Sequence, residues 1–368
     1  MEEYDVVVVG ARVAGATLAA CLGDQEIRTL LVDSAGFPSS TLSTHFFRGS
    51  GLVSVLDRLD VLEEVRTLGP PALVREYNYQ DGRAEYVVGP PQAPGKIGFN
   101  LSVRREPLDD LILRRAVRSS AVEFSDHTRA IAIDRNDGRQ VVISLQTPTG
   151  ERMVRCRLLV GADGRRSVVA RELHAVEQEA APASRAIYYR YVTGFVGPTG
   201  DLDGPEFSLN GDEMAYVFPS DAGRTCIALT LNLATFRWFR EDPETRFATR
   251  LEQHSGLWER FQQSAPDGDV LGCGPEPNYV RVPIGPGWAL VGDAGMHQDP
   301  WTGLGMDNAG LHATFLADSI RRGFTEGGSL APALEEYHHR RDEHALPSYR
   351  ETVRLAQDLR LVRLPPTT

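Results

Sequence analysis

The sequence predicts an α/β chain in which a parallel, Rossmann-like unit is interleaved with a second, antiparallel sheet. Three observations predict it. Val6 to Gly15 reads VVVVGARVAG, a buried strand run followed by a glycine turn and an Ala-rich helix. The strand-then-helix texture returns twice, in RLLVGADGRRSVVAREL from Arg157 and in WALVGDAGMHQDPWTGLGMDNAGLHATFLADSI from Trp288. Between these returns, AIYYRYVTGF, EMAYVFP and TCIALTLN are set apart by Gly, Asp and Pro turns and read as antiparallel strands.

Tyr4 to Val9 is a continuous apolar, β-branched run, which a central parallel strand covered on both faces requires. Val13 to Leu22 follows as a helix stopped at Gly23, and Arg28 to Val32 is the next strand, ending at Asp33. In the fingerprint G-x-G-x-x-G the second glycine lets backbone approach a pyrophosphate, yet here Arg12 holds that position. Gly10 serves the tight turn and Gly15 the close helix packing. Val13 and Ala14 open a helix whose free N–H groups and dipole favour phosphate. Arg12 has two readings: its side chain points away from the pyrophosphate and reaches a phosphate from the side, or it faces solvent. Asp33, 23 residues after Gly10, suits ribose hydroxyls and argues against a 2′-phosphate, so FAD or NAD fits this site better than NADP.

The 368 residues are 42% hydrophobic, enough for a substantial core and for more than one domain. A net charge of −11 argues against nucleic acid or an anionic membrane surface as partner and leaves a small molecule. Cys21, Cys156, Cys226 and Cys273 form no CxxC and pair with no histidine motif, so neither a metal site nor a disulfide framework is expected. With no basic leader and no membrane-length apolar run, the expectation is a soluble cytoplasmic protein, monomer or homodimer. Pro70 to Gly98 is rich in Pro, Gly and Tyr, and the stretch from Ala331 reads as charged helix interrupted at Pro347. The expected division is 1–71, 99–173 and 280–330 for a discontinuous cofactor domain, 72–98 and 174–279 for a substrate domain, and 331–368 for C-terminal helices.

Four stretches together resemble one family. GADGRRS (Gly161 to Ser167) is similar to the "DG" motif of the single-component flavoprotein aromatic hydroxylases, and VGDAGMHQDPWTGLGMDNA (Val291 to Ala309) to their "GD" motif. FFRGSGL and RREPLDDLIL resemble the segments from which that family supplies arginines to FAD. The resemblance to the p-hydroxybenzoate hydroxylase group spans residues 4 to 330 and implies a Rossmann-like FAD-binding domain with an interleaved antiparallel-sheet substrate domain. Geranylgeranyl reductases and flavin-dependent halogenases share much of this frame.

By that resemblance Asp293 accepts from the ribityl chain, while Pro300, Gly303, Gly305 and Met306 lead into a helix whose N-terminus faces the flavin. Asp163 contributes to the FAD and reductant side, Ser167 caps the helix after it, and Arg48 and Arg105 contact FAD, with Arg104 facing solvent. Asp307 departs from the family's asparagine, and Trp301 is bulky for a segment skirting the flavin. Only one dinucleotide fingerprint is present, so NAD(P)H is expected to visit without a domain of its own. The implied reaction is NAD(P)H-driven, O2-dependent oxygenation of an aromatic or polyketide-like molecule, which needs few catalytic side chains. His45 is the candidate base, with a packing or flavin-contact role as the alternative; His297 invites the same pair of readings. Tyr189, Tyr191, Tyr216 and Phe218, with Tyr188, are the candidate aromatic wall, and Trp301 joins it. EMAYVFP resembles the Y-x-x-F-P element of geranylgeranyl reductases, which makes an FAD-dependent prenyl reductase the chief alternative. A halogenase lacks its GWxWxIP-like element and has only Lys96 to carry activated halogen.

Overall fold

The computed structural model of the chain describes residues 1–43, 45–80, 83–88, 97–136, 140–254, 256–325 and 329–364. Lys96 lies outside them. The strand Glu2–Val9 runs through an eight-stranded sheet, parallel to Thr29–Val32 on one side and to Gly150–Gly161 on the other. Val122–Ser125 and Trp288–Leu290 extend it outward in parallel. A hairpin, Arg129–Asn136 with Gln140–Thr147, adds antiparallel strands to the long Gly150–Gly161.

The unbroken valine run follows from cover on both faces. Val6 and Val8 enter a core with Leu18 and Leu316, whereas Val7 and Val9 enter another with Ile143 and Leu159. Helix α1 (Val13–Gly23), wholly buried, packs against α2 (Arg105–Ala116) and α3 (Gly305–Thr325). Helix α4 (Leu330–Ala356) lies along α3. It continues through Pro347, which corrects the interruption expected there. The buried stripe Leu334, Tyr337, Ala345, Tyr349 and Leu355, with the Tyr337 hydroxyl donating to Leu290 O (2.8 Å), outweighs the lost backbone donor.

The second sheet has seven strands in the order Ala265–Cys273, Arg185–Thr193, Arg224–Asn232, Glu213–Pro219, Glu206–Asn210, Arg75–Gln80 and Arg83–Val88. All of its pairs are antiparallel except Glu206–Asn210 with Arg75–Gln80. Alternation divides its side chains. Tyr189, Tyr216 and Phe218 share one cluster with Phe46 and Trp301, while Val192, Val217 and Ile227 pack on helical segments between 233 and 262. No helix among the described residues is long and apolar enough to cross a membrane.

Candidate active site

Gly10, Asp163 and Asp293 stand just past the carboxyl ends of three adjacent parallel strands, where open α/β sheets bind ligands. Gly10 has φ +104°, and a Cβ there would lie 2.3 Å from Ala162 O, so only glycine lets the two strand ends meet. The N-terminus of α1, opened by Val13, Ala14 and Gly15, carries no side-chain cap. Asp33, half-buried, accepts from Ala11 N (2.7 Å) and Ala35 N (2.8 Å) and so fixes both turns that border this cradle. Asp293 accepts from Tyr279 only through its backbone carbonyl (2.7 Å); no described residue donates to its half-buried carboxylate.

Asp163 is engaged with the helix that follows it. Its carboxylate accepts from Ser167 Oγ (2.5 Å) and from the backbone of Val168 (2.7 Å) and Val169 (3.3 Å), while Ser167 accepts from Ala170 N (2.9 Å). Both side chains cap the short helix Val168–Glu172, and burial raises the Asp163 pKa.

A second group gathers at the start of α3. Arg48 donates to Thr302 O (2.9 Å), Gly303 O (3.2 Å) and Asp307 Oδ2 (3.2 Å), and Ser43 Oγ approaches Met306 Sδ at 3.9 Å. Asp307 Oδ1 also accepts from Arg48 N (3.0 Å) and Leu52 N (2.8 Å). A Cβ on Gly51 would sit 2.1 Å from that oxygen, which is why this tight approach needs glycine. The aspartate that departs from the family pattern is therefore the anchor of the 48–52 turn. Burial raises its pKa and the Arg48 guanidinium opposes the rise. Pro300 and Trp301 belong to a short turn capped by Asp299, whose carboxylate accepts from Trp301 N (3.2 Å) and is pushed up to about 6 by burial. The Trp301 indole donates to Thr352 O in α4 (2.9 Å), which pins this bulky side chain. Gly305 opens α3 with no heavy atom within 4 Å of where its Cβ would stand.

His45 precedes Phe46 and Arg48, and its backbone N donates to Ser43 Oγ (3.1 Å). Its backbone is left-handed (φ +65°), a conformation that histidine adopts uncommonly. Its ring stacks on Tyr191 (5.7 Å, 6°) and meets Tyr189 edge-on (5.9 Å). Only 2% of the residue is exposed, and its buried Nδ1 has no partner. Burial, then the Arg105 and Arg104 charges, lowers its pKa well below 6.5, so the ring is neutral at physiological pH. Tyr189 accepts from Ser43 N (3.4 Å) and burial pushes its hydroxyl up to about 12; burial raises Tyr191 further. Tyr216 donates to Trp301 O (2.8 Å), and Phe218 stacks on Phe46 (4.9 Å). His297 is bound through Nδ1 to Pro277 O (2.8 Å), on the side of the Arg165 cleft.

Arg104 does not face solvent. Its Nε donates to Asp221 Oδ2 (2.8 Å) and its backbone N to Oδ1 (2.8 Å), because Asp221, only 1% exposed, needs a cationic partner. Asp221 carries no sequence signal, since it lies far along the chain on the second sheet's side. Asp109 also escaped the sequence reading, although its spacing four residues after Arg105 in a helix offers one.

These residues fit a dinucleotide cofactor: an uncapped helix start, half-buried carboxylates of Asp33 and Asp293 past the strand ends, and an unpartnered buried nitrogen at His45. Together with the parallel sheet they form a Rossmann-like dinucleotide-binding domain. Residues 3–191 match the FAD binding domain family, and the chain belongs to that family. It is 26% identical over 359 residues to digeranylgeranylglycerophospholipid reductase 2 of Methanopyrus kandleri, covering 93% of this chain and 83% of that relative. Its fold is similar to the myxobacterial chondrochloren halogenase (TM-score 0.85, 19% identity, covering 95% and 82% of the two chains). It is also similar to the p-nitrophenol 4-monooxygenase of Pseudomonas putida (TM-score 0.82, 19% identity, covering 97% and 89%).

Proposed function

We propose that this protein is an FAD-dependent monooxygenase that draws electrons from NAD(P)H and oxygenates a compact aromatic molecule, phenolic or polyketide-like, in natural-product tailoring. The observation that carries the reading is the neutral, buried His45 held against Tyr189 and Tyr191 beside the start of α3. When bound, FAD supplies the electron transfer and the activation of oxygen. The chain's own groups bind and orient: His45 accepts a hydrogen bond or a proton from a ligand hydroxyl, and the tyrosines flank a planar ring.

In this reading 1–71, 99–173 and 280–330 hold the cofactor, with Asp33 and Asp293 on its hydroxyls. The segments 72–98 and 174–279 hold the substrate, and 331–368 close the far side. Leu355, Leu359 and Val362 pack on the cluster of Phe46, Tyr216 and Phe218, which favours a short ligand over a long chain. A cleft lined by Arg165, Arg166 and Arg281, with Glu276 pairing Arg165 and Glu177 pairing Arg281, keeps one net positive charge for an anionic nicotinamide donor.

The second reading is an FAD-dependent double-bond reductase, favoured by similarity along nearly the whole chain to a reductase. Oxygen uptake separates the two. The FAD-loaded protein with NADH or NADPH is expected to consume oxygen faster when a phenolic polyketide is added. Saturation of a geranylgeranyl lipid under argon, without ligand-stimulated oxygen use, would replace this reading with the reductase.

A further inference from the structure

Arg12, the residue that breaks the glycine fingerprint, turns its guanidinium out of the turn. Nη1 donates to Asp109 Oδ2 (2.9 Å) and Ser39 O (3.2 Å), and Nη2 to Ser39 Oγ (3.1 Å) and Ser40 O (3.4 Å). The Phe37 ring lies 5.6 Å from its guanidinium carbon. All four terminal N–H groups are thereby engaged, so Arg12 holds protein rather than offering itself to a ligand.

Asp109 is completely buried, one turn into α2, and takes two arginines. Arg105 donates to it side-on, Nε to Oδ1 (3.0 Å) and Nη2 to Oδ2 (3.0 Å). Two guanidinium groups thus share one carboxylate and leave one net positive charge. Arg105 has no described partner at Nη1, and its side chain is 12% exposed. The triad connects the turn after the first strand, the 39–40 segment and the start of α2, three walls of the cradle bounded by the uncapped end of α1.

We propose that Arg12 is a positioning residue for cofactor binding: through Asp109 it fixes Arg105, whose open guanidinium edge takes the pyrophosphate of FAD. The inference rests on FAD occupying the turn after the first strand. A small side chain at this position would free the approach to the backbone, but it would remove the excess positive charge of the triad and leave the Asp109–Arg105 pair untied from the turn and the 39–40 segment. Glycine at position 12 is therefore worse in this chain than arginine, although it would complete the fingerprint.

The test is a double-mutant cycle read by quenching of flavin fluorescence as FAD is titrated into the apoprotein. Arg12→Gly is expected to raise the FAD Kd about tenfold or more, equivalent to about 1.4 kcal/mol. Arg105→Ala should raise it at least as much, and the double variant no further than Arg105→Ala alone. Unchanged or tighter binding in Arg12→Gly, or losses that simply add, would overturn the relay, since a merely structural role persists when Arg105 is gone. If Arg12→Gly does not fold, Asp109→Asn placed in the Arg105→Ala background makes the same comparison and should add nothing. Asp33→Ala serves as the reference: if neither it nor Arg105→Ala weakens FAD, the cofactor placement itself is wrong. Weakening by both with none from Arg12→Gly removes only the relay.

Discussion

His45 shows how a residue's chemistry is set by neighbours distant in sequence. Its place beside FFRGSGL was legible, because the motif lies in the same stretch. Its neutrality was not, since Tyr189 and Tyr191 reach it from a strand more than 140 residues later and Arg104 and Arg105 from the start of α2. With a pKa well below 6.5, the ring stays unprotonated across pH 7 to 8. The kcat/KM profile is therefore expected to show no inflection from this histidine in that window, and His45→Ala should lower kcat about a hundredfold. An inflection near pH 6.5 that vanishes in His45→Ala would contradict the assigned state. Arg104 teaches the converse: an arginine read as solvated is drawn inward when the fold buries a carboxylate beside it, and nothing near it in sequence announces Asp221.

At the scale of elements, strand and helix identities were read from period and punctuation, whereas the contacts that lock their ends were not. The valine run, the glycine-stopped α1 and the Ser167 cap all follow from local sequence. Pro347 misled, because the proline penalty of about 3 kcal/mol acts locally and is overcome by the buried face of α4. Asp307 is the clearest anchor between elements. Asp307→Asn keeps an acceptor for Arg48 N and Leu52 N but loses the ion pair, and is expected to cost about 1–2 kcal/mol in urea unfolding. Asp307→Ala strands both amides and should cost about 3 kcal/mol or more. Equal effects would mean that the carboxylate does not hold the turn.

Asp299 gives a pH signature in the same loop. Its folded-state pKa, about 6, lies above the ordinary 3.8, so ionising it opposes the fold. Its contribution is complete below about pH 4 and is lost as pH rises through 6. Relative to wild type, Asp299→Asn should gain up to about 3 kcal/mol of stability between pH 4 and pH 7. A constant difference between the two melting curves across that range would show that Asp299 is ionised in the folded state throughout.

At the scale of the whole molecule, the sequence made the β-α-β unit and the two later returns to the sheet visible, because each carries its own glycines and acid. It did not reveal the parallel pairing of Glu206–Asn210 with Arg75–Gln80, which joins strands about 130 residues apart with no turn signal between them. That pairing completes the sheet whose Tyr189 and Tyr191 meet His45, so this aromatic face depends on topology that local pattern does not encode. The proposed oxygen transfer depends on FAD and an aromatic ligand meeting in the assembled cleft. The most direct test supplies ¹⁸O2 to the FAD-loaded protein with NADH or NADPH and a phenolic polyketide, and follows product mass. One ¹⁸O atom in the product is the expected result; a product gaining only hydrogen, or label appearing solely in water and peroxide, would contradict it.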